Sequence, residues 1–365
     1  MTDKTSINRE ALVKITALVR PALAAQACIP ALTHIKFDGE YASAYNDIGA
    51  IMVKAPVEVE CCLPGELLIK ALGSFGAETI AMQESVKDKA VVMSSGRAKI
   101  KMPTLPLSSF PFALPDLNKA PRIVLNSQML RGVNRCLMSV GNDPTHPAQM
   151  GVTLDVDSRG NAILFSTDNF TISRYATDNN RTKLPGDAPI IMPTFFCQQL
   201  VTLAKAFEDE EAVLYLVAGA LVVEFGEVAR LFNKTLVDLA PLDFPRIFDK
   251  HCKIAGLKDR LSKIPDNWDG AFNRAMLVLD GEVDKVTRVT VTDDAIKLHS
   301  TSSMGDSDDS MSHDADVKTL EPFYIDPSLV TRASKAVSLM AFNEKALSLA
   351  DDEAQFVHLI AYCSK

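Results

Sequence analysis

The chain has 365 residues, of which 47% are hydrophobic and 23% are charged, so it should fold into globular domains with ordinary cores. A length prior of about 150 residues per domain predicts two or three domains rather than one. The 46 acidic and 38 basic residues give a formal net charge of −8. Taken as a whole, that sign argues against nucleic acid as a ligand, because phosphate binding usually requires a basic excess.

Cysteine usage and hydropathy exclude other classes. The seven cysteines are scattered, odd in number and form no CxxC motif, which argues against a secreted disulfide framework or a zinc ribbon. The N-terminus has no apolar segment typical of a secretory signal. The longest near-apolar run, residues 212–223, is too short to span a bilayer and is interrupted by Gly219. We expect a cytoplasmic protein with no membrane contact, and we interpret this run as two buried strands joined by a tight turn.

Helix starts of a common form recur along the chain. Each has an apolar residue, then Asn, Asp or Pro, then apolar residues at helical spacing. Asn and Asp satisfy the unpaired N–H groups of a first helical turn, and Pro lacks one. Six starts about 60 residues apart predict six similar units. They are Ile7-Asn8, Leu63-Pro64, Leu125-Asn126, Met192-Pro193, Ile264-Pro265 and Ile325-Asp326-Pro327.

Between the helices the pattern changes to the two-residue period of strands. Residues 152–156 alternate, 157–161 contain turn residues and 162–165 return as a strand; residues 287–291 and 296–298 flank another turn in the same way. Each unit is therefore predicted to contain one helix and three or four antiparallel strands.

A second similarity pairs these units into domains. Residues 102–111 align without a gap on residues 236–245, sharing Leu, Phe and Pro positions. We predict an α+β fold of three tandem domains, each a duplicated unit of a helix and an antiparallel sheet. The predicted domains span residues 1–120, 121–252 and 253–365, with linkers near 115–122 and 248–262.

The sign of the charge reverses on the helices. Six helix windows (9–25, 65–74, 127–140, 194–207, 267–279 and 327–340) contain ten basic and three acidic residues, a net +7, which leaves −15 on the rest of the chain. Lys and Arg are good helix formers on any solvated face, but Glu is equally good and nearly absent here. We therefore predict a phosphate-facing surface made of helices, whose contacts would be electrostatic and independent of sequence. Its residues are Arg9, Lys14, Arg20, Lys70, Arg131, Arg135, Lys205, Arg274, Arg332 and Lys335.

No reaction centre or metal site is predicted. The sequence has no phosphate-binding GxxxxGK[ST] loop, GxGxxG, GxSxG or HExxH motif, and its six histidines lack ligand spacing. Asp306-Ser307-Asp308-Asp309 begins like a calcium loop but has Met311 and Val317 where that loop needs Gly and Glu, so we interpret it as a solvated acidic loop. We predict no catalytic residue, metal or cofactor.

Four short segments, in order along the chain, resemble the bacterial DNA polymerase III β subunit family, the sliding clamps. The similarity covers essentially the whole chain at low identity. The segments are Ser95-Gly96-Arg97 with Thr104-Leu105-Pro106 and Phe110-Pro111, Ser166-Thr167-Asp168, Leu236-Val237-Asp238 with Phe244-Pro245, and Ala271-Phe272-x-Arg274-Ala275.

The resemblance implies a head-to-tail homodimer whose six domains close a ring around duplex DNA. Helices would line the hole, and the ring would tether a DNA polymerase after a clamp loader places it. The implied contact between the two chains includes an apolar pair, Leu277 and Val278. At Gln26 the family has a DNA-contacting arginine, so that contact is not expected here.

The resemblance also implies an apolar pocket for partner peptides between domains two and three. The residues that match it are Thr167, Asn169, Phe170, Ile172, Leu242, Arg246, Ile247, Val357, Leu359 and Ile360. The alternative is that these apolar residues are ordinary core. Where the family has Gly-His-Arg, this chain has Asn169-Phe170-Thr171, and the C-terminal segment also differs, which predicts a different peptide preference.

Two other functions stay open at this point. A trimeric ring like PCNA, or a scaffold that does not encircle DNA, would use the same domains, although three domains per chain favour a ring of two chains. An enzyme with an unrecognised site would need an acid–base set that the sequence does not show.

Overall fold

The computed structural model describes residues 5–85, 87–178, 182–185, 188–235, 240–253, 256–314 and 319–363. The described chain folds into six repeats, each a strand, a helix and three strands, which confirms the α+β class and the predicted duplication. The segment Leu236-Val237-Asp238, which carries part of the resemblance, lies outside the described residues.

The first three repeats occupy residues 5–176. Their elements are β1 (Thr5–Asn8), α1 (Arg9–Val19), β2 (His34–Asp38), β3 (Tyr41–Tyr45) and β4 (Gly49–Lys54); β5 (Glu60–Pro64), α2 (Gly65–Ser74), β6 (Thr79–Ser85), β7 (Ala90–Ser95) and β8 (Ala98–Pro103); and β9 (Arg122–Leu125), α3 (Ser127–Cys136), β10 (Gly151–Val156), β11 (Ala162–Thr167) and β12 (Thr171–Ala176).

The last three repeats occupy residues 190–361, with an extra helix, α5, between the fourth and fifth. Their elements are β13 (Ile190–Pro193), α4 (Thr194–Ala206), β14 (Ala212–Val217), β15 (Ala220–Phe225) and β16 (Ala229–Lys234); α5 (Phe244–His251); β17 (Ser262–Lys263), α6 (Trp268–Val278), β18 (Thr287–Val291), β19 (Ala295–Ser302) and β20 (Gly305–Ser312); and β21 (Phe323–Ile325), α7 (Pro327–Ser334), β22 (Leu339–Phe342), β23 (Ala346–Ala350) and β24 (Phe356–Ala361).

Neighbouring repeats exchange their first strands. The strand β1 pairs with β6 of the second repeat, and β5 pairs with β2 of the first; the third and fourth repeats, and the fifth and sixth, do the same. This exchange ties the repeats into three pairs, as the predicted duplication requires. The resulting sheets are β1-β6-β7-β8, β5-β2-β3-β4-β16-β15-β14-β9, β13-β10-β11-β12-β24-β23-β22-β17 and β20-β19-β18-β21.

The described chain divides into two compact units. The first contains residues 1–126 and 195–237, and the second contains residues 127–194 and 238–365. Each unit has one eight-stranded and one four-stranded sheet. The three predicted domains are a different division of the same repeats, and their boundaries stay a prediction.

Helix α1 illustrates why the six helix starts were recognisable. Asn8 lies at the N-cap, and its side-chain oxygen accepts a hydrogen bond of 2.9 Å from the backbone N–H of Ala11. Leu12, Ile15 and Val19 follow at helical spacing and are buried against the sheet. Full burial of a side chain such as Leu12 contributes about 1.5–3 kcal/mol, so the apolar stripe fixes which face turns inward.

The strand predictions around residues 152–165, 212–223 and 287–298 are confirmed as β10–β11, β14–β15 and β18–β19. The predicted acidic loop at residues 306–309 is wrong, because these residues belong to β20. The eight residues of β20 pair in register with all eight of β19, and tertiary pairing overrides the poor strand propensity of Asp and Ser.

Candidate DNA-facing helices, sheet edges and peptide pocket

In the first unit, α1 and α2 pack against each other and carry three of the predicted DNA-facing residues, and a fourth, Arg20, directly follows α1. Lys14 and Lys70 are exposed and form no ion pair with any described residue. Arg20 is also exposed, but its guanidinium donates two hydrogen bonds, of 2.9 and 3.1 Å, to the Glu66 carboxylate on α2. An exposed pair of this kind contributes little stability, so little free energy is lost if Arg20 exchanges Glu66 for a phosphate.

Arg9 has a structural position instead. Its guanidinium donates to the backbone carbonyls of Ala77 at 2.9 Å and Leu72 at 3.4 Å. These contacts satisfy carbonyl groups at and beyond the C-terminal end of α2, where a cation is favoured by the helix dipole. We therefore leave Arg9 out of the proposed DNA-facing set. Gln26 lies exposed in the segment after α1.

In the second unit, α6 and α7 pack against each other. The Arg274 guanidinium on α6 binds the Asp309 carboxylate of β20 at 2.5 Å, and Arg332 on α7 lies 3.4 Å from the Asp168 carboxylate. The remaining cation of these helices, Lys335, is exposed and forms no ion pair with any described residue. The sequence could not show these acidic partners, which lie 35 and 164 positions away.

The other predicted cations lie on α3 and α4. Arg131 is exposed and hydrogen-bonds Tyr175, whereas Arg135 lies over the Phe356 ring, 5.7 Å from its centroid. Lys205 is exposed near the end of α4 and pairs with no described carboxylate.

The two four-stranded sheets each end in a strand with an open edge. In the eight-stranded sheets, the last strand of one repeat pairs antiparallel with the last strand of another, as β4 does with β16 and β12 with β24. The last strands β8 and β20 have no such partner among the described residues. The β8 strand carries Lys99 and Lys101, and β20 carries Asp306, Asp308 and Asp309, so the two open edges have opposite charge.

An exposed apolar patch lies beside the β20 edge. Leu277 at the end of α6 is 74% exposed, Met304 at the tip of the β19–β20 hairpin is 77% exposed, and Val283 is 96% exposed. The hairpin is tied to α6 by a 2.6 Å hydrogen bond from the Ser302 hydroxyl to the Val278 carbonyl. Single exposed apolar residues are ordinary, but three at one sheet edge suggest an interface. Sequence reasoning singled out Leu277 and the half-buried Val278, but missed Met304 and Val283, because their exposure depends on the hairpin.

The candidate peptide pocket is built on the turn between β11 and β12. Asn169 adopts a left-handed backbone with φ of 72°, and the Asp168 carboxylate accepts hydrogen bonds from the N–H groups of Phe170 and Thr171 at 3.1 and 2.6 Å. This turn leaves Phe170 66% exposed. Thr167 is buried, and its hydroxyl donates to the Thr171 carbonyl.

The apolar floor lies on the adjoining strands. Ile172 of β12 is the cross-strand neighbour of Leu359 on β24, and both belong to a cluster with Val357 and Phe248 of α5. Phe248 is fully buried, and Ile247 packs against the same cluster. Helix α5 therefore covers this floor. This helix was not predicted, and its last residues, 248–251, overlap the linker predicted near 248–262, although Asp243 at its N-cap and Pro245 in its first turn follow the rule used for the other helices.

The other predicted pocket residues are spread around this floor. Leu242 is half-buried beside Phe244, and Arg246 is exposed on α5. Ile360 points to the opposite face of β24, into the core formed with Phe272 and Val330. Strand side chains alternate, so a residue adjacent to Leu359 faces away from it. We therefore leave Ile360 out of the proposed pocket.

A chain of polar groups lies beneath the turn. The Thr171 hydroxyl donates to the Ser139 hydroxyl at 2.9 Å, and Ser139 and Ser173 are 2.8 Å apart. Ser173 lies 2.9 Å from Nδ1 of His358, which is fully buried. Desolvation, with the nearby Arg332 charge, lowers the pKa of His358 to about 3, so its imidazole is neutral at physiological pH.

Among the described residues, no group of three or more His, Cys, Asp or Glu side chains is arranged to hold a metal ion. The helices described are all too short or too polar to cross a membrane.

No family model matches the chain. The β sliding clamp of Vibrio cholerae is 25% identical over 316 residues, which cover 81% of this chain and 80% of that protein. The β sliding clamp of Lactococcus lactis is 21% identical over 253 residues, and the match spans 64% of each chain.

Solved structures match over nearly the full length. The β subunit of DNA polymerase from Streptococcus pyogenes superposes with a TM-score of 0.83 at 16% identity, covering 100% of both chains. The Pseudomonas aeruginosa sliding clamp bound to griselimycin superposes with a TM-score of 0.84 at 16% identity, covering 99% of both chains. The chain is therefore similar in sequence to curated β sliding clamps, and it has the fold of solved DNA polymerase sliding clamps along its whole length.

Proposed function

We propose that the chain is a DNA sliding clamp, a non-enzymatic ring that encircles duplex DNA and tethers a replicative polymerase. The distant sequence similarity to β sliding clamps, the shared fold and the strand pattern support this function. Because the proposed activity is DNA replication, we place the protein in the cytoplasm, with duplex DNA, a polymerase and a clamp loader as its partners.

The observation that carries the proposal is the pair of open sheet edges. Within the part of the chain that the structure describes, two of the six last strands, β8 and β20, lack the antiparallel partner that the other four have. If β8 of one chain pairs with β20 of a second copy, a third kind of eight-stranded sheet forms, and two such contacts close a head-to-tail dimer. Unpaired edges expose N–H and C=O groups that favour such pairing. Lys99 on β8 and Asp306 on β20, which form no ion pair with a described residue, would attract each other, and Leu277 and Met304 would become buried beside them.

The proposed DNA-facing set consists of the nine predicted cations other than Arg9. Among them, Lys14, Lys70, Lys205 and Lys335 are exposed and have no described ion-pair partner. Weak contacts from such lysines to phosphates suit a ring that must slide, because the topological link rather than affinity retains the DNA. The acidic charge on the rest of the chain disfavours DNA binding to other surfaces.

Partner proteins are proposed to dock at the turn of Phe170 and the floor around Ile172 and Leu359. Phe170 offers an exposed aromatic ring at the rim. Because α5 covers the floor, a partner would contact the rim and the outer surface of α5 first.

The oligomeric state of the protein in solution distinguishes a dimeric ring from a trimeric one. A species of twice the chain mass supports the dimer, a species of three times that mass supports a PCNA-like trimer, and a monomer at all concentrations contradicts both. Encirclement is tested on DNA: the protein should stay on a closed circular plasmid after loading and leave when the plasmid is cut.

A further inference from the structure

A second cleft lies in the second unit, at the end of the sheet that also carries the Phe170 turn. It has a volume of about 490 Å³ and is formed by the C-terminal end of α5, the segment that follows it, and the turn between β22 and β23. Cys252, Leu320 and Phe342 give it an apolar back. Cys252 belongs to the apolar cluster under α5, whereas Leu320 and Phe342 pack against the core that α6 and α7 cover.

Four cationic side chains converge on this cleft: Lys250, Lys253, Arg260 and Lys345. Two carboxylates, Asp249 and Glu344, also line it, so its formal charge is +2 on a chain whose total charge is −8. The four cations form no ion pair with any carboxylate among the described residues. Such a local excess, against the sign of the whole molecule, attracts anions.

Arg260 is held in place by neutral acceptors. Its guanidinium donates to the Asn343 side chain at 2.9 Å, to the Lys253 carbonyl at 2.7 Å and to the Gly256 carbonyl at 3.4 Å. These bonds orient the planar group and leave its charge uncompensated. Asp249, by contrast, interacts electrostatically with the buried Arg174, so its negative charge acts in part on a residue outside the cleft.

The titration of His251 agrees with a positive field in the cleft. Desolvation, together with the charges of Lys250 and Lys345, lowers the pKa of His251 below its ordinary value. An anion bound beside these lysines would oppose their effect and raise the pKa of His251.

We propose that this cleft binds the acidic side chains of a segment of a partner protein. The cations come from three separate stretches of chain, which suits carboxylates spread along an extended peptide more than one compact phosphate. The C-terminal end of α5, with its partial negative charge, also disfavours a dianion at a single point. The apolar back of the cleft accommodates aliphatic side chains between the acidic ones. This inference rests on the proposed function in one respect, namely that the partner is a protein.

The probe is a capped tetraglutamate peptide, with capped tetraglutamine as its neutral counterpart, titrated into the full chain at low salt. Tetraglutamate should bind, weaken as salt rises and raise the pKa of His251, measured from its imidazole proton resonances. Tetraglutamine should do none of these. The double variant K253Q/K345Q should reduce tetraglutamate affinity about tenfold, since each exposed charge pair contributes up to about 1 kcal/mol.

The matched control is K54Q/K119Q, which removes two exposed lysines of the first unit and should leave both affinity and the His251 shift unchanged. Equal binding of the two peptides, an equal loss in both double variants, or an unshifted His251 would overturn the proposal. Tighter binding by a single-stranded DNA octamer that displaces tetraglutamate would also overturn it, in favour of nucleic acid. Retention on circular DNA does not depend on this cleft. A negative result in the peptide titration would therefore contradict the acidic-peptide site alone, and a negative result in the DNA retention experiment would contradict the ring alone.

Discussion

Replacing Leu277 with aspartate should separate the proposed dimer into single chains without unfolding them. Leu277 is 74% exposed in the single chain, so its removal costs the fold little. In the proposed dimer it would be buried against the second copy, beside the paired edges of β8 and β20. The variant tests whether this end of α6 is an interface.

The expected loss of association free energy in L277D follows from the exposed fraction of the Leu277 side chain. Full burial of a leucine side chain contributes about 1.5–3 kcal/mol, so covering the exposed three quarters of Leu277 contributes about 1–2 kcal/mol per contact. An unpaired carboxylate in the same place adds a penalty of about 3 kcal/mol. The loss of about 4–5 kcal/mol at one contact corresponds to at least a thousandfold weaker association, and a closed dimer has two such contacts.

Sedimentation equilibrium over a range of concentrations gives the dissociation constant of the wild type and of L277D. The matched control is I48D, which places the same charge on a residue that is 60% exposed at the turn between β3 and β4, in a sheet that contains neither β8 nor β20. We expect I48D to remain dimeric and both variants to unfold near the wild-type temperature. An L277D protein as dimeric as I48D would refute this placement of the interface.

Three further predictions concern the helices, the buried histidine and the pocket. Reversing Arg131 and Arg135 to glutamate should weaken DNA association and make the slope of log affinity against log salt shallower by about 2, as fewer counterions are released; an unchanged slope would remove both residues from the DNA face. Because the pKa of His358 is about 3 in the folded chain and 6.5 unfolded, stability should be full above pH 6.5 and fall by about 1.4 kcal/mol per pH unit below it. Urea unfolding of H358Q should lack this loss, and equal pH slopes in the two proteins would contradict the buried neutral imidazole. The exposed Phe170, replaced by alanine, should weaken binding of the host's replicative polymerase in a pull-down about tenfold, whereas I48A at the equivalent turn should not; equal binding by both variants would exclude Phe170 from the docking surface.

The helices of the six repeats were predictable because their signals are local. An apolar residue followed by Asn8, Pro64 or Asp326 marks a helix start whatever surrounds it, and buried residues then recur at helical spacing. The same rule applies to α5 at Asp243, but this helix was not predicted, and its C-terminal half was assigned to a linker. The strand β20 was missed because its formation depends on pairing with β19, and its own residues favour a loop.

The candidate site was predictable in part. The excess of basic residues on helices is a property of the sequence, but Arg9 and Arg20 meet their partners only after folding brings α1 and α2 together. The exposure of Phe170 and the burial of Leu359 depend on the pairing of β12 with β24, strands from opposite ends of the second unit. Local sequence patterns do not predict contacts between residues that are this far apart in the chain.

The central claim is that the protein holds DNA by encircling it. The protein is loaded on a nicked circular plasmid by its clamp loader and separated from free protein by gel filtration in high salt, which removes electrostatic binding. One sample is then cut with a restriction enzyme, and another is cut after bulky protein blocks are placed at both sides of the cleavage site. We predict retention on the circle, release from the cut plasmid and retention on the blocked one. Equal retention on the circular and cut plasmids, or release from all three, would contradict a closed sliding ring.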